Sequence, residues 1–500
     1  MSITDRINFE KRKSFHLDWN QLFPLILSIG LGLALGFLSS RGNWFYAFTL
    51  ALIVPMVILF SLRPFIGIIL WLLLMPLASA LPNPNIMYWG IHRILIPFTL
   101  VMTIIPHLVN TSNRTLFRFK FPDISLIIFA AYVPFSMILR SSLSSESMRL
   151  YLDRMLIPIL MYFVLRFSVI DKKNQKILEW TAFFVAVIQN AIGIASWIVP
   201  SLIPYVWRHN IGYRTAGSLG DPAVFTSLLM FCAVLLISAA LNRKNDLTKL
   251  VYLLVSGVSF VSVFLSLERG SWLAGLMVII GLLIFHGKKF FKLILVGIFF
   301  VVLFGFSLLS NQISMAANRI SEQHPIDDRI VVTDAMIRMI ADKPVFGWGY
   351  DSLNLNLANY YRQVGAANII FGFTTSHNTF LTIFTELGLV GIFLYLSPIV
   401  WLLIKSIKWL RGNPIKSHKK TFLITVWLSS LQYFVVSNFM DMRFYPIGLT
   451  LCWMMIGLIA NQINEIDEVQ PLNSNNSLEV VSEELSRINH SNNNMRIYSE

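Results

Sequence analysis

Long apolar runs separated by short polar connections repeat along most of the chain. A helix needs about 20 residues to cross a bilayer, and most of these runs are close to that length. The pattern predicts an all-α integral membrane protein with about fourteen transmembrane helices, within a range of twelve to fourteen. The predicted segments are 21–39, 44–61, 64–81, 92–109, 123–139, 155–170, 177–200, 222–241, 249–267, 271–286, 290–310, 377–404, 421–440 and 443–461.

The polar connections divide the chain into five parts. Residues 1–20 form a basic N-terminal tail, and residues 21–310 carry the first eleven helices. Residues 311–376 form a large external loop, and residues 377–461 carry the last three helices. Residues 462–500 are rich in asparagine and poor in aromatic residues, so we predict a disordered cytoplasmic tail.

The distribution of lysine predicts the orientation of the chain. Only 13% of the residues are charged, against about 25% in soluble domains, yet the net charge is +14. With the N-terminus in the cytoplasm, sixteen of the seventeen lysines lie on the cytoplasmic side, and Lys343 is the exception. Since cytoplasmic connections carry the positive excess, we expect both termini in the cytoplasm.

Arginine is distributed differently from lysine. Thirteen of the twenty-three arginines lie on the predicted outer side, and topology does not explain this because it treats both residues alike. Arginine binds phosphate bidentately and keeps its charge, which favours phosphate recognition. The alternative is pairing with lipid headgroups and nearby carboxylates. The outer arginines are Arg41, Arg93, Arg140, Arg149, Arg154, Arg208, Arg214, Arg269, Arg319, Arg329, Arg338, Arg362 and Arg443.

The external loop 311–376 has the features of a folded cap. Its stretch DDRIVVTDAMIRMIADKP predicts an amphipathic helix with Asp327 or Asp328 as N-cap and Pro344 at its end. The glycines in PVFGWGYDSL predict a turn after it. Its apolar residues are expected on the bundle or the membrane surface, and they are Ile330, Val331, Met336, Ile337 and Ile340.

The predicted topology brings polar residues from separate connections to one outer interface. A histidine with an ordinary pKa takes a proton from a hydroxyl at neutral pH, and arginines stabilise the charge that grows on a leaving diphosphate. Together they suit sugar transfer from a lipid diphosphate to a hydroxyl. No motif for a metal or a cofactor accompanies them. The residues are His377, Arg214, Arg269, Arg329, Arg338 and Asp441.

Several of these residues also have a structural interpretation. Ser376, His377 and Asn378 could simply cap the following helix, and Asp441 could pair with the nearby Arg443. Glu386 lies nine positions after His377, about 180° around a helix, so we interpret it as structural.

Four stretches, taken in order, resemble the O-antigen ligase and O-antigen polymerase superfamily. They are YRTAGSLGDPAVFTSLL, LSLERGSWLA, DDRIVVTDAMIRMIADKPVFGWGYDSL and TTSHNTFLTIFTELGLVGIFLYL. The resemblance covers roughly 205–460 and is most specific in 328–391, whereas the first 200 residues match only as serial apolar helices. It implies a bundle like that of the C-type glycosyltransferases.

Members of this superfamily take a glycan from undecaprenyl diphosphate at the outer side of the cytoplasmic membrane. Ligases pass it to a lipid A core sugar of lipopolysaccharide, and polymerases pass it to the next lipid-linked repeat. The resemblance implies metal independence, no cofactor, inversion at the anomeric carbon, and a glycan or lipid-linked acceptor. It implies His377 and Arg329 as catalytic residues, Arg214, Arg269 and Arg338 as diphosphate-binding residues, and Asp441 and Asn378 as further candidates.

The leading hypothesis is therefore an O-antigen ligase-like glycosyltransferase of cell-envelope polysaccharide biosynthesis. A polymerase of O-antigen, teichuronic acid or exopolysaccharide repeats is the first alternative. A membrane transporter, such as a relative of bicarbonate-accumulation proteins, is the second. A coupled transporter usually carries charged residues in mid-span, and few occur here. Arg319 and Arg362 are expected to be solvated.

Overall fold

The structure is a computed structural model whose residues pack into two units, Met1–Arg63 and Pro64–Glu500. The first unit contains a helix over 32–40, followed by Arg41, whose guanidinium lies 4.6 Å from the centre of the Phe37 ring. All sites described below belong to the second unit. The structure describes residues 30, 32–42, 51, 59–80, 84–109, 118–208, 214–287, 290–291, 310–321, 324–362, 364, 376–412 and 418–464.

The described part of the second unit is helical, without a β-sheet. π-helical turns Trp89–Ile94 and Leu152–Leu156 lead into two of its α-helices. The α-helices are α1 Phe65–Leu74, α2 Pro84–Tyr88, α3 Leu95–Val109, α4 Phe121–Leu139, α5 Ser145–Tyr151, α6 Ile157–Phe167, α7 Lys172–Ile198, α8 Pro222–Asn242, α9 Asp246–Leu265, α10 Arg269–His286, α11 Ser310–Ser321, α12 His324–Asp342, α13 Leu353–Asn356, α14 Thr379–Gly412, α15 His418–Val436 and α16 Pro446–Asn464.

Within the described residues, eight helical segments are long and apolar enough to cross a membrane. They confirm the polytopic class, but not the predicted number of fourteen. The predicted segments 21–39, 44–61 and 290–310 lie wholly or largely outside the described residues, as do both tails. The eight are Pro84–Pro106, Phe121–Leu139, Lys172–Ile198, Pro222–Asn242, Asp246–Leu265, Arg269–His286, Thr379–Gly412 and Pro446–Asn464.

Two of these helices form the centre of the bundle. α8 and α16 are 94% and 89% buried, whereas α9 and α10 are only 28% and 33% buried, as expected for helices at a lipid boundary. Asp221 starts α8 by accepting hydrogen bonds from the backbone N–H groups of Ala223 and Val224, at 2.8 and 3.1 Å. Pro222 follows it at the first helical position, where its missing N–H costs nothing.

In the predicted external loop 311–376, the described residues are largely helical. Its helix α12 begins at His324, however, so Asp327 and Asp328 are not its N-cap. Val331 and Met336 are buried, but Ile330 and Ile337, seven residues apart, are exposed on another face of the helix. A small apolar cluster joins α12 to the segments that follow, and it contains Val332, Ala335, Met336, Met339, Leu353 and Leu357.

Candidate functional site

The cap of α14 is formed by the neighbours of His377. The Asn378 Oδ1 accepts the backbone N–H of Leu381 at 2.9 Å, and the Ser376 Oγ accepts the backbone N–H of Asn378 at 3.1 Å. His377 itself is half-buried, with a left-handed backbone at φ 51°. Such a conformation is uncommon outside glycine, and here it lies between the two residues that stabilise the helix end.

The start of α14 is fixed to the connection between α15 and α16. The backbone N–H of Thr379 donates to the Ser437 carbonyl at 2.9 Å, and the Thr379 Oγ1 accepts the backbone N–H of Met442 at 2.9 Å. These bonds hold His377 and Asp441 at one end of the bundle. Asp441 is buried and close enough to His377 to interact with it electrostatically.

Glu268 lies among three of the predicted arginines at the same end. Its Oε2 is 3.8 Å from the Nη1 of Arg214, and Arg269 is the next residue, at the start of α10. Arg329, on α12, interacts electrostatically with both Glu268 and Arg269. The backbone N–H of Thr215 donates to the Leu265 carbonyl at 3.3 Å, which brings Arg214 to the turn that carries Glu268.

Burial changes the ionisation of this group. It raises the pKa of Glu268 to about 7, helped by the carboxylate of Asp221 and opposed by Arg329 and Arg269. Burial also lowers the pKa of His377, and the guanidinium of Arg329 lowers it further. A histidine with a lowered pKa stays neutral at physiological pH, as a general base requires.

A buried ion-pair network underlies the site. The Arg443 guanidinium donates to the Asp441 carboxylate at 2.9 Å and to the Glu386 Oε2 at 2.7 Å, and all three residues are buried. Glu386 is therefore the partner of Arg443, on a different face of α14 from His377. Nearby, the Tyr445 hydroxyl donates to Asp221, which joins the connection between α15 and α16 to the start of α8.

The structure does not bring Arg338 to the Glu268 group. Arg338 lies nine residues after Arg329 and so on the opposite face of α12. Its Nη2 donates to Asp334 at 2.7 Å, and the exposed Arg362 binds the same carboxylate. Arg319 was expected to be solvated, but it is half-buried. It is also close to Arg329, whose pKa is lowered by burial and, in part, by Arg319.

Backbone hydrogen bonds around Gly349 and Gly388 hold the segment after α12 against α14. The helix is interrupted at Gly388, with φ 67° and ψ −168°, which leaves backbone groups of that turn available. The segment after α12 uses them. Trp348 and Gly349 donate backbone N–H groups to Thr385 and Glu386 at 3.1 and 2.8 Å.

In the other direction, Leu389 and Val390 donate to the carbonyls of Pro344 and Val345 at 2.8 and 3.2 Å. We call these four bonds the glycine clamp. A side chain on Gly388 would overlap the Val345 carbonyl, so both its conformation and its contact require glycine. The clamp holds α12, with Arg329, against the helix that begins just after His377.

Residues 250–396 match the profile of a protein family described as O-antigen ligase. This segment is O-antigen ligase-like. It contains Glu268, Arg269, Arg329, His377 and both halves of the glycine clamp. The match confirms the resemblance found in the sequence, although over a narrower range than 205–460. A comparison with curated proteins gives no match.

The domain and the apolar helices together indicate an O-antigen ligase-like, multi-pass protein of the inner membrane. Arg214 and Asp441 lie outside the matched segment, and the tertiary structure places them beside Glu268 and His377 respectively. Among the described residues, no three His, Cys, Asp or Glu side chains are grouped so as to hold a metal ion.

Sequence reasoning missed Glu268. The signal was present in the turn SLERGSW, where a carboxylate precedes an arginine between two apolar helices. A charged residue at such a turn is ordinarily solvated, and only the packing of Arg214 and Arg329 around it reveals a buried carboxylate.

Proposed function

We propose that this protein transfers a glycan from undecaprenyl diphosphate to a sugar hydroxyl at the outer face of the cytoplasmic membrane. The O-antigen ligase domain supports the reaction class. The observation that carries the proposal is one electrostatic cluster, in which Arg214, Arg269 and Arg329 surround Glu268 and Arg329 also acts on His377. These residues come from separate segments and meet at one end of an apolar bundle. The lysine distribution supports assigning that end to the outer side of the membrane.

His377 is the base in this mechanism. Its neutral imidazole takes the proton of the acceptor hydroxyl as the hydroxyl oxygen attacks the anomeric carbon of the donor sugar. The bond from that carbon to the diphosphate oxygen breaks, and undecaprenyl diphosphate leaves with the electron pair. A single displacement of this kind inverts the anomeric carbon.

The arginines stabilise the leaving group. Arg329, Arg269 and Arg214 present guanidinium forks that bind phosphate oxygens bidentately, and they stabilise the negative charge where it grows. A diphosphate is a good leaving group, so this site needs charge stabilisation more than a general acid.

Glu268 keeps the arginines together before the donor binds. Its 3.8 Å separation from Arg214 is longer than the roughly 2.7–2.9 Å of a strong charge-assisted bond. The pair is therefore weak, and Arg214 can exchange the carboxylate for a phosphate oxygen. A Glu268 pKa of about 7 helps this exchange, because the carboxyl group can take a proton when a diphosphate brings additional negative charge.

The test uses purified protein, a lipid-linked glycan and an acceptor lipid. His377→Ala should abolish transfer, and Arg329→Lys should reduce it strongly, since lysine cannot bind phosphate bidentately. Arg362→Lys is the matched control, because Arg362 is exposed and bound to Asp334. Normal transfer by His377→Ala protein, correctly inserted in the membrane, would reject the proposal.

A second arm identifies the acceptor. If the protein is a ligase, incubation with the lipid-linked repeat alone should not lengthen the glycan chains. Chain extension under those conditions would identify a polymerase that uses the same site.

A further inference from the structure

A cleft of about 210 Å³ lies at the end of the bundle opposite to His377. The hydrogen bond from Thr379 to Ser437 places the end of α15 beside His377, so α15 begins at the far end. α8 likewise begins at Asp221, near the candidate site, and ends at the cleft. The start of α7, the end of α8 and the start of α15 form its walls.

The cleft is positively charged. The Arg243 Nη2 is 2.5 Å from the Glu179 Oε2, so these two charges largely cancel each other. Lys172 and Lys176 also line the cleft, one helical turn apart on α7. Neither has a carboxylate at ion-pair distance among the described residues. An anion in the cleft can therefore bind two ammonium groups. Desolvating these groups costs little, because both lysine side chains are exposed.

A buried hydrogen-bond acceptor also lines the cleft. Gln175 lies between the two lysines and is only 6% exposed. Its Oε1 has no hydrogen-bond donor among the described residues. Leaving a buried acceptor without a donor is unfavourable, so this atom favours a ligand that carries a hydroxyl group.

An exposed tryptophan of the kind found at membrane surfaces lies beside the cleft. Trp180 follows Glu179 on α7, is 42% exposed, and packs edge-on against Tyr252. The Arg243 guanidinium lies 6.0 Å from the centre of the same Tyr252 ring. Tryptophan and tyrosine are enriched where lipid headgroups meet water. A ligand in the cleft can therefore keep its acyl chains in the bilayer.

We propose that this cleft binds the headgroup of an anionic glycerophospholipid. Lys172 and Lys176 bind the phosphate, and Gln175 accepts a hydrogen bond from a headgroup hydroxyl. Phosphatidylglycerol has both groups, phosphatidic acid lacks the glycerol hydroxyls, and phosphatidylcholine has no net negative charge.

Native mass spectrometry of the detergent-purified protein tests the proposal with these three lipids at matched acyl chains. The protein should retain phosphatidylglycerol in preference to phosphatidylcholine. The double variant Lys172→Gln, Lys176→Gln should weaken retention about thirtyfold. Lys173→Gln is the matched control, because Lys173 is exposed on the same helix but does not line the cleft.

Gln175→Leu separates the hydroxyl contact from the charge. It should keep the preference for anionic lipids and lose the preference for phosphatidylglycerol over phosphatidic acid. Equal loss in Lys173→Gln and the double variant, or equal retention of phosphatidylcholine, would overturn the proposal. Soluble glycerol phosphate is the last probe. If it stabilises the protein against heat as much as phosphatidylglycerol does at the same concentration, the lipid assignment is wrong.

Discussion

Replacing Gly388 by alanine tests whether the glycine clamp holds the external loop in place. Gly388 lies in a region of backbone conformation, φ 67° and ψ −168°, that only glycine adopts readily. An added methyl group would also overlap the Val345 carbonyl. The chain can relieve both problems only by moving the loop segment away from α14, which breaks the bonds from Leu389 and Val390.

The expected loss combines two contributions. Strain at a glycine-only conformation costs about 1–3 kcal/mol, and two lost hydrogen bonds cost about 0.5–1.5 kcal/mol each. We therefore expect Gly388→Ala to lower the free energy of unfolding by about 2–6 kcal/mol, or to favour opening of the clamp by the same free energy. Opening would also separate Arg329 from His377, so glycan transfer should fall with it.

Hydrogen exchange followed by mass spectrometry measures the clamp directly. The amides of Trp348, Gly349, Leu389 and Val390 should exchange faster in Gly388→Ala than in the unmodified protein. Gly257→Ala is the matched control, because Gly257 lies inside α9 with open space around it and an ordinary helical backbone. The prediction is wrong if Gly388→Ala shows the same amide protection and the same unfolding midpoint as Gly257→Ala.

Three further predictions concern the charged residues. The unmodified protein should lose stability as the pH rises from about 4.5 to 7, because Glu268 keeps its proton to higher pH in the folded state than in the unfolded chain. Glu268→Gln should remove up to about 3 kcal/mol of that loss, measured by denaturant titration at several pH values. Glu386→Ala leaves the Arg443 cation with one carboxylate fewer in a buried site, and should lower the free energy of unfolding by about 3–5 kcal/mol; a change below about 1 kcal/mol would contradict the buried pair. The acidic limb of the pH profile of the transfer rate should lie below the ordinary histidine pKa of 6.5. It should move to higher pH in Arg329→Gln, because Arg329 lowers the pKa of His377. If the residual activity of Arg329→Gln shows the same acidic limb, Arg329 does not act on His377.

Local sequence predicted the outer site only in part. His377 and Arg329 were identified because each lies in a recognisable motif, and Asp441 because of its place at a helix turn. The helical period explains why Arg338, nine residues beyond Arg329, faces away, and the same calculation separated Glu386 from His377.

The start of α12 shows a different limit. Two aspartates before an apolar run are a strong N-cap signal, yet the helix extends back to His324. Cap preferences of about 1 kcal/mol are small beside the packing of a whole helical turn, so they do not by themselves determine where a helix begins.

The amino-acid sequence by itself determined the membrane class, the predicted orientation and the motifs of the O-antigen ligase domain. Each depends on local composition or on short spacing, which a single chain displays directly. The tertiary structure alone decided which charges meet. Arg214 reaches Glu268, Asp441 reaches His377, and Pro344–Gly349 reaches the interrupted turn at Gly388 across long sequence separations. Such contacts follow from the packing of helices in three dimensions, and no local pattern specifies them.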